Sequence, residues 1–472
     1  MGAKFALAYP PGADAPGRFR RFAGPVETTA ALLGAVIAGL LLMAPLDLVG
    51  TEGSALQLDL MVLNMPRAAA AGAAFAVISA ALVVALGRRS AWIASFGSAV
   101  VLVVNHLWNH DAAITGAMTT VNYIDSIFSG IMLGALAVAV FGKPVATGAY
   151  LIGALSAIVI GDQTSLPTSG KSNPLIEWAS GATPPLWLVL LAAVLLGLGI
   201  AVQHTDPGVQ DENTDLAIGP ILSALVLVTA TALSTEWFVR HSGTAAQIGV
   251  TVAVTVVAAV VAALLLPGRE GTLVLLSVAI ANAGSAIIAV PRPDWSAPIP
   301  VLAVIVGLAA GRRWASPWTA LAATGGLAVF AAGTADVAHA HAVLAVVGVT
   351  LTALIIGYCF GAAVPKTAGS AVVAVAVLIV PCLVVALRGS SFGRIAYSPY
   401  WYRDPDGTTS ALPGWMALVI TLGCAAGLAL LWRLRAPGGA MARRPLGPAG
   451  GEAVTPRVMP LREGVRNVVP QG

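Results

Sequence analysis

The sequence predicts an all-α, polytopic membrane protein. Of its 472 residues 58% are apolar and only 10% are charged, and the mean hydropathy is +0.87. A soluble domain is about one quarter charged, so this composition is typical of a chain whose solvent is the lipid bilayer. Apolar runs near the length of about 20 residues that crosses a bilayer follow one another along the chain. These observations exclude a soluble enzyme and a disordered protein.

Fourteen apolar runs lie between charged or Gly/Pro-rich breaks, and each is predicted to form a spanning helix. Two of the runs, 146–161 and 298–311, are short, so a count of twelve helices is the alternative. In chain order the predicted helices are 27–49, 67–86, 91–108, 126–142, 146–161, 185–203, 216–238, 245–266, 271–290, 298–311, 317–334, 342–361, 369–387 and 414–433.

Basic residues set the predicted orientation, because they tend to remain on the cytoplasmic side during membrane insertion. With the N-terminus inside, most of the 25 basic residues face the cytoplasm, among them Arg88, Lys143, Arg312 and Lys366. We therefore expect a multipass plasma-membrane protein with both termini in the cytoplasm.

Two landmarks recur in the same order in the two halves of the chain. The turn Gly87-Arg88-Arg89 between helices two and three returns as Gly311-Arg312-Arg313 between helices ten and eleven, and Lys143 before helix five returns as Lys366 before helix thirteen. This pattern predicts two pseudo-repeated six-helix bundles with helices seven and eight as an inserted pair. The alternative is that Gly-Arg-Arg is simply a common cytoplasmic turn.

The predicted division of the chain follows from this plan. Polar and Gly/Pro/Arg-rich stretches separate the membrane segments and form the tail, where a packed core is not expected. The segments are an N-terminal cytoplasmic segment (1–26), a first six-helix bundle (27–203), an acidic cytoplasmic linker (204–215), the inserted helix pair (216–266), a second six-helix bundle (267–434) and a disordered cytoplasmic tail (435–472).

With two Gly-Arg-Arg turns and fourteen predicted helices, the chain weakly resembles the fourteen-helix branch of the major facilitator superfamily. The resemblance implies a transporter built of two helical bundles. It also implies that the turns at Gly87, Arg88 and Arg89 and at Gly311, Arg312 and Arg313 take part in conformational change. Lipid-linked sugar flippases resemble the chain in helix number, and an unrelated multipass fold is the third alternative.

Few polar side chains fall within the predicted helices, and no acidic residue is placed near the middle of one. This argues against a carrier of the usual proton-coupled type. Asn282, in helix nine, is the best central polar group, either on a substrate path or as an interhelical hydrogen bond. Asn105 and His106, at the outer end of helix three, are further candidates for substrate binding, with a polar interfacial loop as the alternative.

The remaining candidate residues lie at the predicted outer face. Asp47 and Asp162 close helices one and five on the outer side and are candidate coupling groups, although polar helix ends alone explain them. The loop before helix fourteen holds Trp401, Tyr402 and Asp404, and aromatic rings beside a carboxylate are suited to sugar rings. The alternative is that Trp and Tyr collect at membrane interfaces because their rings are amphipathic.

The leading functional hypothesis is an integral membrane transporter or flippase for a hydrophobic, amphipathic or lipid-linked envelope substrate. One alternative is a membrane-embedded glycosyltransferase that uses a polyprenyl-phosphate sugar, because Asp47, Glu52 and Asp59 follow helix one; another is a non-transporting scaffold of a cell-envelope complex. Membrane lipids are the expected partners, with a glycolipid or lipid-linked glycan as a further candidate. No catalytic residue, metal, cofactor or nucleic acid is expected.

Overall fold

The computed structural model describes residues 17–43, 55–108, 115–161, 184–203, 218–241, 244–287, 296, 298–335, 342–388 and 410–435, and the regular elements among these residues are helices. In chain order they are α1 (Gly17–Met43), α2 (Ala55–Leu86), α3 (Arg88–Trp108), α4 (Thr115–Val140), α5 (Pro144–Gly161), α6 (Leu186–Gln203), α7 (Ile218–His241), α8 (Ala245–Leu265), α9 (Gly271–Ser285), α10 (Pro298–Arg313), α11 (Pro317–Thr334), α12 (Ala342–Ala362), α13 (Ala368–Ile379), α14 (Leu383–Arg388) and α15 (Leu412–Leu434).

Each of the fourteen predicted spans overlaps a helix of the structure, with α13 and α14 together forming the thirteenth. Ten described segments are long and apolar enough to cross a membrane, and α6 and α9 are shorter apolar helices. On α8, Val250, Val254, Val257 and Val261 form an exposed row at helical spacing. An exposed row of valines is suited to lipid rather than water. The prediction of an all-α multipass membrane protein is confirmed.

The fourth helix begins earlier than the sequence predicted, at Thr115 rather than at residue 126. The polar residues Asn122, Asp125 and Ser126 lower the local hydropathy, but all three side chains are buried among neighbouring helices. The extension therefore brings a carboxylate, Asp125, inside the apolar segment Thr120–Val140. The expectation that acidic residues are confined to loops and helix ends is wrong at this position.

The packing of the first six helices reappears in the last group of helices. In the first bundle α1 packs on α4, α5 and α6, while α4 packs on α2 and α3, and α3 on α6. In the second bundle α9 packs on α12, α13 and α15, while α12 packs on α10 and α11, and α11 on α15. Each pairing thus has a counterpart at the equivalent position. The two bundles meet mainly through α2 against α13 and α5 against α10.

The inserted pair, α7 and α8, packs on one side of this assembly. The two helices contact each other, and α8 packs on α9 and α15 of the second bundle. Helix α7 packs on α2 of the first bundle and on both parts of the broken α13–α14 span. The inserted pair therefore contacts both bundles beside the α2–α13 contact.

Glycines bring two equivalent helix pairs into backbone contact. A Cβ on Gly130 of α4 would overlap the carbonyl of Gly72 in α2, and a Cβ on Gly307 of α10 would overlap the carbonyl of Leu354 in α12. Small residues allow such close approach, which membrane helices use because van der Waals packing rather than hydrophobic exclusion holds them together. The α2–α4 and α10–α12 pairs therefore pack in the same way, with a glycine on one helix in contact with the backbone of the other.

A carboxylate also joins the first helix of each bundle to the start of the fifth. Glu27 of α1 is only 2% exposed, and it accepts a bond from Lys143 Nζ, just before α5, at 2.5 Å. Glu270, just before α9, accepts bonds from the hydroxyls of Thr367 and Ser370 at the start of α13. The basic turns and these two contacts lie at the same end of the helices.

Candidate functional site

One candidate site is the buried pair formed by Asn105 of α3 and Asp125 of α4. Asn105 Nδ2 donates to Asp125 Oδ1 at 2.7 Å and lies 3.4 Å from the carbonyl oxygen of Val121. Both side chains are more than nine-tenths buried. An ionisable group in a spanning helix is costly, so its presence is typical of a functional position with a specific partner.

Asp125 belongs to a polar row along α4. Asn122, Ser126 and Ser129 are also buried, at spacings of three to four residues that place them on neighbouring turns of the same helix. Ser129 Oγ makes no hydrogen bond within the described part of the chain. The row gives the first bundle a polar interior that begins near the end of α4 farther from the basic turns.

A second candidate site surrounds Asn282 of α9, which is 2% exposed. Its Nδ2 donates to the carbonyl of Val278 at 2.9 Å, while its Oδ1 is buried with no hydrogen-bond partner in the described residues. Asn282 lines a small cavity with α7, α8 and the broken α13–α14 span. The structure thus places Asn282 where the second bundle meets the inserted pair.

The two Gly-Arg-Arg turns differ in construction. Gly87 has a φ of 90°, a conformation that favours glycine, and it separates α2 from α3. Arg88 then donates from Nε to the carbonyl of Ala139 at the end of α4, at 2.8 Å. Arg89 is exposed.

In the second copy Gly311 remains helical, and a Cβ there would overlap the carbonyl of Tyr358 in α12. Arg312 and Arg313 are exposed within the last turn of α10. The guanidinium of Arg312 lies 3.6 Å from where a Cβ on Gly148 of α5 would stand. The first turn therefore binds within its own bundle, and the second contacts the other bundle.

An ion pair connects the first bundle to the inserted pair. Arg67 of α2 contacts Glu236 of α7 through both carboxylate oxygens, with Nη2 2.5 Å from Oε1 and Nε 3.4 Å from Oε2. Glu236 and Arg240 lie four residues apart on α7, which is the spacing of an ion pair on one helix face. The structure gives Glu236 a partner from another helix, Arg67, and the Arg240 side chain lies outside the described residues.

The remaining predicted site residues are His106 and five residues outside the described part of the chain. His106 is half-buried one residue beyond Asn105, on α3. The other candidates, Asp47, Asp162, Trp401, Tyr402 and Asp404, lie outside the described residues.

Comparison with known proteins finds matches among solved structures. No protein-family model and no curated protein matches the sequence. The xylose transporter XylE from E. coli, solved in a partially occluded inward open conformation, is similar in structure: the match covers 89% of this chain and 98% of that chain, with 14% sequence identity and a TM-score of 0.42.

Sequence reasoning missed Asp125 and the residues that surround Asn282. Asp125 was missed because a polar start was excluded from the predicted fourth helix. Thr231, Thr255 and Cys382 come from three other segments and line the same cavity as Asn282. The one local signal for that site is Pro381, which interrupts the most apolar of the ten segments long enough to span a membrane.

Proposed function

We propose that this protein is a membrane transporter that moves its substrate by alternating access. The main support for this proposal is that the same helix pairings recur in two bundles. These bundles meet at the α2–α13 and α5–α10 contacts. Two structurally equivalent halves around one interface can rock against each other, which exposes a central site to each side of the membrane in turn.

The proposed substrate is hydrophobic, amphipathic or lipid-linked, and the composition of the interface supports this. Among the buried residues of α5 only Tyr150 and Ser156 are polar, and among those of α13 only Ser370 is. Tyr150 donates its hydroxyl to Leu133 within its own bundle at 3.1 Å. Helices that offer so few free polar groups are better suited to an apolar surface than to a hydrated ion or a sugar.

We further propose that the end carrying the basic turns faces the cytoplasm of the plasma membrane, because basic loops are retained there during insertion. Single cysteines at the exposed positions Arg89 and Arg313 report this directly. In intact cells a membrane-impermeant thiol reagent is expected to leave both unlabelled, and to label both after permeabilisation. Labelling of both from outside would reverse the orientation.

A lipid probe tests the transport proposal. The purified protein is placed in vesicles that contain a fluorescent, head-group-labelled phospholipid, and the fraction of probe that reaches the outer leaflet is followed by chemical quenching. We expect faster exchange than in protein-free vesicles. If the exchange rate equals that of empty vesicles, the lipid-like substrate is wrong.

Cross-linking the two bundles tests the rocking motion itself. Gly148→Cys and Arg312→Cys place thiols across the α5–α10 contact, and a bifunctional thiol reagent about as long as an arginine side chain can bridge them. The native thiols of Cys359, Cys382 and Cys424 are buried. The bridged protein is expected to stop exchanging the probe, while Arg312→Cys alone, treated in the same way, continues. Undiminished exchange by the bridged protein contradicts alternating access.

A further inference from the structure

The turn between α8 and α9 carries an arginine that rests on the end of α15. The guanidinium carbon of Arg269 lies 4.9 Å from the ring centroid of Trp432, and a cation at this distance over an indole face is attracted by the ring. Trp432 is itself fixed by two contacts. Its Nε1 lies 3.5 Å from Thr272 Oγ1, and Trp318 of α11 meets its ring edge-on with 6.1 Å between the ring centroids.

A second arginine fixes the turn that carries Arg269. Arg435, directly after α15, donates to the carbonyls of Leu264 at 2.7 Å and Leu266 at 2.5 Å, where it satisfies the end of α8. It also donates to the carbonyl of Gly268, whose φ of 54° favours glycine and turns the chain just before Arg269. The end of α15 therefore sets the position of Arg269 through two residues.

Positive charge predominates at this end of the second bundle. Arg269 is exposed, and among the described residues its N–H groups have no hydrogen-bond acceptor. Arg433 in the last turn of α15, and Arg312 and Arg313 in the last turn of α10, are also exposed there. Glu270 is the one described carboxylate at this end of the bundle, and two hydroxyls at the start of α13 already donate to it. An anion is therefore the complementary ligand.

Helix α15 also presents an apolar row that leads to these arginines. Val419, Leu422, Leu430 and Leu434 are 44–64% exposed and lie at helical spacing, and Arg433 follows in the last turn. Because α15 is long and apolar enough to cross a membrane, this row faces acyl chains. An exposed apolar row that ends in positive charge matches the two parts of an anionic phospholipid.

We propose that the end of the second bundle binds an anionic phospholipid, whose phosphate contacts Arg269 and whose acyl chain lies along the exposed row of α15. A guanidinium suits a phosphate because its N–H donors form a fork that can contact two oxygens at once. Arg433 adds positive charge beside it. A phospholipid with an ammonium head group is disfavoured, since its cation would meet the same arginines. Basic pockets between membrane helices bind anionic head groups in this way.

This site is separate from the interface through which transport is proposed. Helix α15 packs on α8, α9, α11 and α14, whereas the two bundles meet mainly through α2 against α13 and α5 against α10. The lipid is therefore a bound partner of the second bundle rather than the transported molecule.

Lipid binding to the full-length protein in detergent tests the proposal without transport. The Tm is measured with dioleoyl phosphatidylglycerol, with dioleoyl phosphatidylcholine, and with glycerol phosphate alone. We expect a saturable rise of the Tm with phosphatidylglycerol only, because a ligand that binds the folded state stabilises it. No rise, or the same rise with both lipids, would overturn the site. An equal rise with glycerol phosphate would overturn the lipid and indicate a soluble phosphate instead.

A charge-removing variant assigns the binding to Arg269. Arg269→Gln alters an exposed side chain, and it is expected to weaken phosphatidylglycerol binding about tenfold. Arg89→Gln is the matched control, because Arg89 is an exposed arginine at the same end of the first bundle. Equal losses in the two variants would contradict a specific site and indicate general attraction between lipid and a basic surface.

Photolabelling then locates the acyl chain. A phosphatidylglycerol with a diazirine in its acyl chain is irradiated with the protein in vesicles, and the labelled residues are identified by mass spectrometry. We expect the α15 row to be labelled, and Arg269→Gln to reduce this labelling several-fold. The exposed row Ile93, Val100 and Val104 of α3 serves as the control for bulk lipid and should be labelled equally in both proteins. Labelling of α15 that does not respond to Arg269→Gln would overturn the placement, whatever the outcome of the transport assay.

Discussion

The fifth helix of the first bundle and its counterpart in the second bundle occupy equivalent places but are built differently. Helix α5 is continuous and packs above all on α1, where Gly153 brings the backbones together. The counterpart is broken into α13 and α14 at Pro381, and it packs on α9, α2, α4 and α7. The segment Ala368–Leu387 has a hydropathy of 2.9 and yet is 83% buried inside the protein.

This difference shows what the inserted pair contributes to the second bundle. A continuous helix satisfies its own backbone and needs only a close neighbour, as α5 has in α1. A helix interrupted by proline leaves carbonyls unbonded, and in a membrane these must be covered by protein. Helix α7 contacts both parts of the break and gives it that cover. Four predictions test this contrast, beginning with the largest effect.

The close contact between α1 and α5 is expected to tolerate an added side chain less well than the packing around α13. A Cβ on Gly153 would lie 2.5 Å from the carbonyl oxygen of Leu32, which is backbone and cannot move aside. We expect Gly153→Val to lower the free energy of unfolding by about 3 kcal/mol, measured by denaturation in detergent.

Gly369 on α13 is the matched position, because a Cβ there would meet only the Pro220 ring, at 3.1 Å. Gly369→Val should cost about 1 kcal/mol, since a contact at 3.1 Å is tight but does not overlap as the contact at Gly153 does. Equal costs at Gly153 and Gly369 would remove the contrast between the two helices.

Restoring the missing N–H should make the broken span resemble α5. We expect Pro381→Ala to raise the free energy of unfolding by about 2 kcal/mol, because a proline inside a helix costs about 3 kcal/mol and some packing is lost on joining the segments. Pro317→Ala is the control, because Pro317 stands at the start of α11, where proline is tolerated. A drop in stability on Pro381→Ala would show that the break relieves strain.

The buried polar contact of the first bundle should have an intermediate effect. Asn105→Ala leaves the carboxylate of Asp125 without the donor at 2.7 Å, and we expect a loss of about 1–2 kcal/mol in the free energy of unfolding. Asp125→Asn retains the size of the side chain and is expected to impair transport more than stability. If Asp125→Asn transports the probe normally, the carboxylate has a structural role alone.

The smallest expected effect concerns the ion pair that joins α7 to the first bundle. Arg67 and Glu236 are 45% and 29% exposed at their side chains, so their coupling should be about 0.5–1 kcal/mol. A double-mutant cycle with Arg67→Met and Glu236→Gln measures it. A coupling energy of zero would mean that packing alone attaches the inserted pair to α2.

Hydropathy predicted the spans because each helix must be apolar enough to enter lipid, and the same property cannot predict which helices touch. The fourth helix shows the limit: its polar residues Asn122, Asp125 and Ser126 are buried against other helices, although their polarity makes the sequence resemble a loop. Asn282 was found because it is a lone amide in an apolar run. Its neighbours Thr231 and Thr255 resemble many other threonines that bond to their own helix, and only tertiary packing brings them together.

Local spacing indicated Arg240 as a partner of Glu236, but it could not indicate Arg67, which lies 169 residues away in the sequence. The repeated Gly-Arg-Arg sequences lie between the second and third helices of each bundle, as predicted. The same three residue types nevertheless form different structures at Gly87 and Gly311. A duplication of the sequence itself stays a prediction.

The glycine contacts of α2 with α4 and of α10 with α12 bear on how the chain is made. In each pair one complete span, α3 or α11, is synthesised between the two partners, so the backbone contact forms only after the later helix has entered the membrane. Until then α2 has only its contacts with α1 and α3, and its apolar segment Pro66–Leu86 must persist in the membrane without α4. A nascent chain released before residue 115 lacks the α4 backbone that packs on Gly72, so this contact completes the first bundle late rather than early.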